Sequence, residues 1–471
     1  MITSRRQFIQ SAGLAAGWAM LPGLALAGKS DDGFINLIAR PGEMPLLGDG
    51  KTATRIWGYE GKSPGPQIRV RQGEEVKVRL INKLPQPTTM HWHGVRIVNG
   101  MDGVPELTQK AVPPGGRFDY VFRAPDAGTF WYHTHNRTWE QMARGLYGTL
   151  IVEEKDKPAF DQDLTLVVDD WRLTEEGQIH EKSLGALHEW AHGGRSGRWI
   201  TVNGAHRPQI AIRQGSRVRL RLVNVCNASI YALKLEGLKA HLIALDGQPV
   251  APRDVSDEPM LFSPAQRIDL ALETIADHQG KASLRSLRRD GSDELAGFVI
   301  EPSSPGATTR PGLVRLPENP LSKTISMPDA LKVDVKMEGG AMGGMRSAIY
   351  KGRKLGIDEL IQNKHLWALA GVTGLPEKPL FSAKRGQSVV LNLINATAWP
   401  HPMHIHGFHF RALERNGKTL ATAPWRDTEL IMPRETVSLG FVADNPGKWL
   451  LHCHTLEHTA AGMITWFEVA A

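Results

Sequence analysis

Near the C-terminus, His452-Cys453-His454-Thr455-Leu456-Glu457-His458-Thr459-Ala460-Ala461-Gly462-Met463 gathers three histidines, a cysteine and a methionine within twelve residues. A thiolate, two imidazoles and a weak thioether make the ligand set of a blue-copper electron-transfer site. In that reading Cys453 and His458 supply two strong ligands, and Met463, ten residues beyond the cysteine, the long axial one. His452 and His454 flank the thiolate. On an extended chain they point to the face opposite Cys453, where they suit a second metal centre joined to the first through one residue of backbone.

Three more histidine pairs have the same spacing: His91-Trp92-His93, His133-Thr134-His135 and, within His401-Pro402-Met403-His404-Ile405-His406-Gly407, His404 and His406. One such pair is ordinarily a pair of solvated histidines. Four pairs at matching places of a repeated unit are not, and neutral imidazole suits copper. Ten of the 18 histidines lie in these clusters; His180, His188, His192, His206, His241, His278, His365 and His409 are scattered and read as structural.

The elements that must position these residues recur three times. Pro66 leads to Gly73, then Val76, Val78, Leu80 and Asn82; Pro208 leads to Gly215, then Val218, Leu220, Leu222 and Asn224; Pro379 leads to Gly386, then Val389, Leu391, Leu393 and Asn395. Period-two alternation bounded by Gly and Asn predicts a half-buried strand, with Glu75, Lys77 and Arg79, or Arg217, Arg219 and Arg221, on the outer face. In the middle copy Ser229-Ile230-Tyr231-Ala232 stands where the others carry histidines, which makes that unit a spacer.

Sustained helical periods are rare and Gly and Pro frequent (48 and 30). The expected fold is therefore all-β, three tandem Greek-key β-sandwiches. Short helices are expected just after His135 and around residues 357–363. Boundaries are read at the charged residues 153–161 and at the proline-rich residues 302–320. This divides the chain into 1–27, 28–155 and 156–305, with 306–471 holding the cysteine.

At 471 residues with 41% hydrophobic content, the chain can bury several cores. The formal charge of +7 falls to +5 without Arg5 and Arg6 and is spread along the chain, which argues against nucleic-acid binding. Ser4-Arg5-Arg6-Gln7-Phe8, a short apolar run and Ala25-Leu26-Ala27 form a secretory signal of the twin-arginine type, cleaved near Gly28. The apolar run is broken by Gly13, Gly17, Pro22 and Gly23, too short for a membrane anchor. A periplasmic monomer without stable membrane insertion is expected. Of the two cysteines, Cys226 has no partner besides the metal-binding Cys453 and reads as a buried thiol.

Together the four histidine motifs resemble those of the multicopper oxidases, and the resemblance spans the whole mature chain. It implies three cupredoxin domains and four copper ions. His401, Cys453, His458 and Met463 would hold the type 1 copper, and His91 and His404 the type 2. The type 3 pair would be held by His93, His133 and His454 and by His135, His406 and His452. The implied reaction takes electrons one at a time at the type 1 site, passes them through Cys453 to His452 and His454, and reduces dioxygen to water. Asp102 resembles the family's acid near the type 2 copper. Many bacterial members have a proton-relaying glutamate directly after the last type 1 histidine, but this chain has Thr459. Either Asp102 with water carries the protons, or another acid such as Glu457 does.

The electron donor stays open. Met337, Met342 and Met345 lie in a Gly-rich stretch and suit Cu(I) collection, or are loop residues without a role. Thr397 and Trp399 replace the Asp and Met of the cuprous-oxidase pattern; Trp399 would pack against an aromatic donor instead. Cu(I), with a role in copper tolerance, a phenol and Mn(II) are all expected candidates. A non-catalytic scaffold and a copper nitrite reductase fit less well, because the full set of histidines is present.

Overall fold

A computed structural model describes residues 25–48, 50–274, 281–302, 313–322 and 324–471. The twin-arginine motif, His278 and most of the proline-rich segment lie outside them. The described chain is chiefly strand, folded as three two-sheet sandwiches in tandem. Its short helices include Thr138–Gln141 and Ile357–Gln362, where the sequence predicts them, and also Leu187–Ala191 and Leu456–Ala460. None is long and apolar enough to cross a membrane.

The sequence repeat is also a repeat of topology. Glu75–Asn82 lies between a parallel partner, Ile35–Met44, and an antiparallel one, Arg117–Arg123. Val218–Asn224 sits likewise between Gln162–Trp171 and Arg267–Thr274, and Gln387–Asn395 between Leu331–Gly339 and Thr436–Ala443. Val76, Val78 and Leu80 and their counterparts are buried, each worth roughly 1.5–3 kcal/mol of transfer free energy. The glycine that starts each unit adopts positive φ (85° at Gly73, 73° at Gly215, 81° at Gly386), and at Gly73 and Gly386 no atom lies near the missing Cβ, so conformation alone selects glycine there.

The asparagine that ends each unit folds the next loop. Asn82 Nδ2 donates to the carbonyls of Gln86 and Val112 while its Oδ1 accepts from the Leu84 amide. Asn224 does the same with Ser229, Phe262 and Cys226, and Asn395 with Trp399, Ile431 and Thr397. In the first and third units that loop leads directly into the histidine strands.

One expectation is corrected. Arg219 and Arg221 are buried, because the outer face of the middle unit's strand is covered by the first unit. Arg219 pairs with Glu154 and Asp269, and Arg221 pairs with Asp163 and bonds Thr129 Oγ1. Buried charges persist only when paired, and this network joins the two units. Apolar residues of the first and third units form one continuous cluster, whereas the middle unit packs its own. The described end of the proline-rich segment is anchored: Leu316 is buried, and Asn319 bonds Ala127 and Gln248.

Candidate metal centre

The histidines enter the site on paired strands. His91–His93 runs antiparallel to Gly128–His133, with His91 opposite His133. His401–Ile405 pairs with Gly447–Cys453, with His404 opposite His452 and Met403 opposite Cys453. Residues two apart share a face, so each pair points one way and the residue between points the other. Trp92 and Ile405 thereby enter the core. Cys453 instead faces its own ligand group.

The ligand atoms converge. His93, His133 and His454 form one group within 4.8 Å, His135, His406 and His452 a second, and His401, Cys453 and His458 a third. His91 and His404 fall together with His93, and His91 also with Asp102 and His406. The rings of His91 and His406 stack at 3.8 Å, as do those of His93 and His404. Met463 is buried in the same cluster as Cys453, and its carbonyl accepts from the Cys453 amide at 3.1 Å.

Hydrogen bonds fix which ring nitrogen is left free. The Nδ1–H groups of His91, His133 and His404 donate to the carbonyls of Asp102, Thr134 and Asp427, each at 2.8 Å. His452 Nδ1 donates to the Cys453 carbonyl at 2.9 Å and His406 Nδ1 to Asp102 Oδ2 at 2.9 Å. Their partners leave Nε2 of His91, His133 and His404 buried without a hydrogen bond, together with Nε2 of His135, Nδ1 of His93 and both nitrogens of His454. Buried polar atoms are seldom left unpaired, and an imidazole with one nitrogen tied to oxygen and the other free is prepared for a metal. At the third group the roles reverse: Nε2 of His401 meets Thr397 Oγ1 at 2.8 Å, Nε2–H of His458 donates to the His192 carbonyl at 2.6 Å, and both Nδ1 atoms face Cys453 Sγ at 3.6 and 3.7 Å. The donor set fits copper.

Burial holds the imidazoles of His93, His133, His135, His401, His406 and His454 well below their ordinary range, and those of His452 and His458 at about 3. All are neutral ligands at physiological pH. Burial pushes the Cys453 thiol up to about 12, so a metal must displace its proton.

Asp102 is fully buried and holds two ligands at once, its Oδ2 accepting from His406 and its backbone carbonyl from His91. Thr459 caps the Cys453 carbonyl and lies 3.4 Å from His452 Nδ1. Glu457 is buried, accepts from Asn227 Nδ2 at 2.8 Å, and is raised by burial to about 7.

Sequence reasoning missed Asp427. Its Oδ1 accepts from His93 Nε2 at 3.2 Å, its carbonyl from His404, and its carboxylate is clasped by buried Arg267 at 2.9 and 2.5 Å. Burial opposes the charge, but Arg267 outweighs it and holds the Asp427 carboxyl well below its usual value. His409, read as one of the scattered structural histidines, is buried 3.6 Å from the same carboxylate. No local signal marks Asp427, which lies 334 residues from His93 in the chain.

The three methionines do not form one surface group. Met337 and Met345 are core residues and only Met342 is exposed, at 79%. Trp399 donates from Nε1 to the Ala341 carbonyl and sits edge-on to His192, 5.6 Å between ring centroids. Cys226 is free and buried, and burial together with neighbouring Asp170 holds its thiol protonated.

Comparison with known proteins adds to this geometry. Profiles described as multicopper oxidase match residues 43–157, 162–281 and 352–471. The crystal structure of Lac15, from a marine microbial metagenome, is 38% identical, with a TM-score of 0.74, and covers 93% of this chain and 100% of its own. That of a multi-copper oxidase from Pseudomonas thermotolerans is 34% identical, with a TM-score of 0.80, covering 95% of this chain and 100% of its own. Multicopper oxidase MmcO of Mycobacterium tuberculosis is 27% identical over 442 residues, 86% of this chain and 82% of that protein.

Proposed function

The chain belongs to the multicopper oxidase family, oxidoreductases that use oxygen, and from that premise we propose that it binds four copper ions and oxidises Cu(I) while reducing dioxygen to water. The observation that carries the reading is the convergence of buried imidazole nitrogens with no hydrogen-bond partner. His401, Cys453, His458 and Met463 would hold a type 1 ion, His91 and His404 a type 2 ion, and the remaining two trios a type 3 pair. Bound copper supplies one-electron acceptance at the cysteine and multi-electron delivery to dioxygen at the cluster.

The protein's own part is positional. Cys453 is bonded through the backbone to His452 and His454, so the electron path between the two centres is covalent. Asp102 orients His91 and His406 and is the buried acid beside them through which protons would reach the oxygen side. Asp427, fixed by Arg267, orients His93 and His404. Thr459 offers no carboxylate, so proton delivery falls to Asp102 and water rather than to the relay glutamate of other bacterial members.

Cu(I) is favoured as donor because Met342 is exposed on the segment bonded to Trp399 and to residue 191, over the Cys453 centre. Trp399 is half-buried, with its Nε1 tied to the Ala341 carbonyl and its ring set edge-on against His192. The corresponding biology is copper tolerance in the periplasm, reached as a monomer by twin-arginine export, with residues 28–155, 156–305 and 306–471 as the domains. Oxygen uptake by the copper-loaded protein tests the donor: Cu(I) should be turned over faster than a dimethoxyphenol or Mn(II). Turnover of phenol without turnover of Cu(I) would make it laccase-like.

A further inference from the structure

The helical turn Leu187–Ala191 of the middle unit covers the Cys453 centre, and its sequence runs His188-Glu189-Trp190-Ala191-His192. Positions four apart share a helix face, and the two imidazoles lie 4.1 Å apart between centroids. His188 is exposed and His192 half-buried. His192 Nδ1–H donates to the His188 carbonyl at 2.9 Å, which leaves Nε2 with its lone pair free. That is how a metal-binding imidazole is held.

Two histidines at this spacing with glutamate second is the pattern by which a helix binds zinc, the glutamate serving as general base of a hydrolase. Here Glu189 is committed, 2.5 Å from Arg172 Nη1 with its side chain 12% exposed. The hydrolytic reading lacks its base, and the histidine pair remains.

The pair is coupled to the copper ligands. The carbonyl of His192 itself accepts from His458 Nε2 at 2.6 Å. The Ala341 amide donates to the Ala191 carbonyl at 2.6 Å, which ties the backbone next to Met342 to this turn. Met342 is exposed and has φ of 63°, a left-handed conformation uncommon outside glycine. An exposed thioether held in a costly backbone conformation points to a role other than packing.

We propose that His188 and His192, with Met342 as a third, soft donor, form the docking site for Cu(I) as the electron-donating substrate. The inference rests on the oxidase reading above and names the site that reading lacks. Neutral imidazoles and a thioether suit the soft monovalent ion, whereas Mn(II) prefers carboxylates. Each Cu(I) docked there is oxidised to Cu(II) and released, and its electron passes by way of His192 and the hydrogen bond to His458 into the Cys453 centre. Four such electrons and four protons reduce one dioxygen to two waters.

Silver(I), a redox-inert stand-in for Cu(I), is titrated calorimetrically into the copper-loaded protein and into His188→Ala, His192→Gln and Met342→Leu. Copper content and the blue absorption band are checked first, so that a misfolded variant is recognised; His188, being exposed, is the variant least exposed to that risk. The expected result is one Ag(I) site weakened on the order of 10–100-fold in the histidine variants, less in Met342→Leu, with KM for Cu(I) rising in parallel. Unchanged Ag(I) affinity and unchanged KM in both histidine variants would overturn the docking site while Cu(I) oxidation by the wild type still supports the oxidase reading. A copper-replete wild type that oxidises neither Cu(I) nor phenol would instead overturn the oxidase reading, and silver binding would still report on the site by itself.

Discussion

Asp102 and Asp427 work on the cluster from two sides: each holds one histidine through its carboxylate and another through its backbone carbonyl. Asp102→Asn should lower turnover on the order of 10–100-fold, as removal of a ligand-orienting partner does, measured as kcat for oxygen uptake at matched copper content. Asp427→Ala leaves Arg267 buried without its main partner and should cost about 3–5 kcal/mol of unfolding free energy in denaturant titration. A different carboxylate sets a pH dependence. Burial, and then the charge of Asp170, raise Asp169 well above the ordinary 3.8, and it accepts from the Tyr147 hydroxyl. The folded state therefore keeps a proton that the unfolded chain releases as pH rises past 3.8, so this group costs stability toward neutral pH. Asp169→Asn should be more stable than the parent at pH 7, and the advantage should shrink toward pH 4, as read from urea unfolding at both values.

The repeated strand-and-asparagine unit is the element that brings histidines to the cluster. Asn395→Ala removes four hydrogen bonds from a buried loop and Asn224→Ala three, and each should cost about 2–4 kcal/mol. Only the first should also disturb the Cys453 centre, since Asn395 ties down Thr397 and the chain entering His401, so its blue absorption should shift or fall while that of Asn224→Ala does not. The unit was legible in the sequence because it rests on local rules: alternation, a positive-φ glycine and an asparagine that closes its own loop. The histidine pairs were legible for the same reason, since residues two apart on a strand share a face. Buried Arg219 and Arg221 were not. An alternating arginine looks solvated until a second unit covers it, and nothing local announces that cover. The turn at residues 187–192 had a readable histidine spacing, but its meaning depends on lying over His458, a contact between residues 266 apart.

At the scale of the molecule, the cluster is built from the first and last units, whose apolar residues already form one continuous core, and the middle unit spaces and caps them. Copper should therefore tie the two ends of the chain together. Because the metal binds only the folded site, loading should raise unfolding free energy by about 4 kcal/mol when free copper is a thousandfold above its dissociation constant; calorimetry of chelated and reloaded protein checks this. The donor set also includes the Cys453 thiol, which burial keeps protonated at neutral pH, so loading should release a proton. Electrons that enter singly at the Cys453 centre should leave together at the histidine cluster. The measurement that tests this most directly is the ratio of Cu(I) oxidised to dioxygen consumed by the copper-loaded protein, with peroxide assayed in parallel. Four Cu(I) per dioxygen without peroxide is the predicted result; two per dioxygen with stoichiometric peroxide would contradict it.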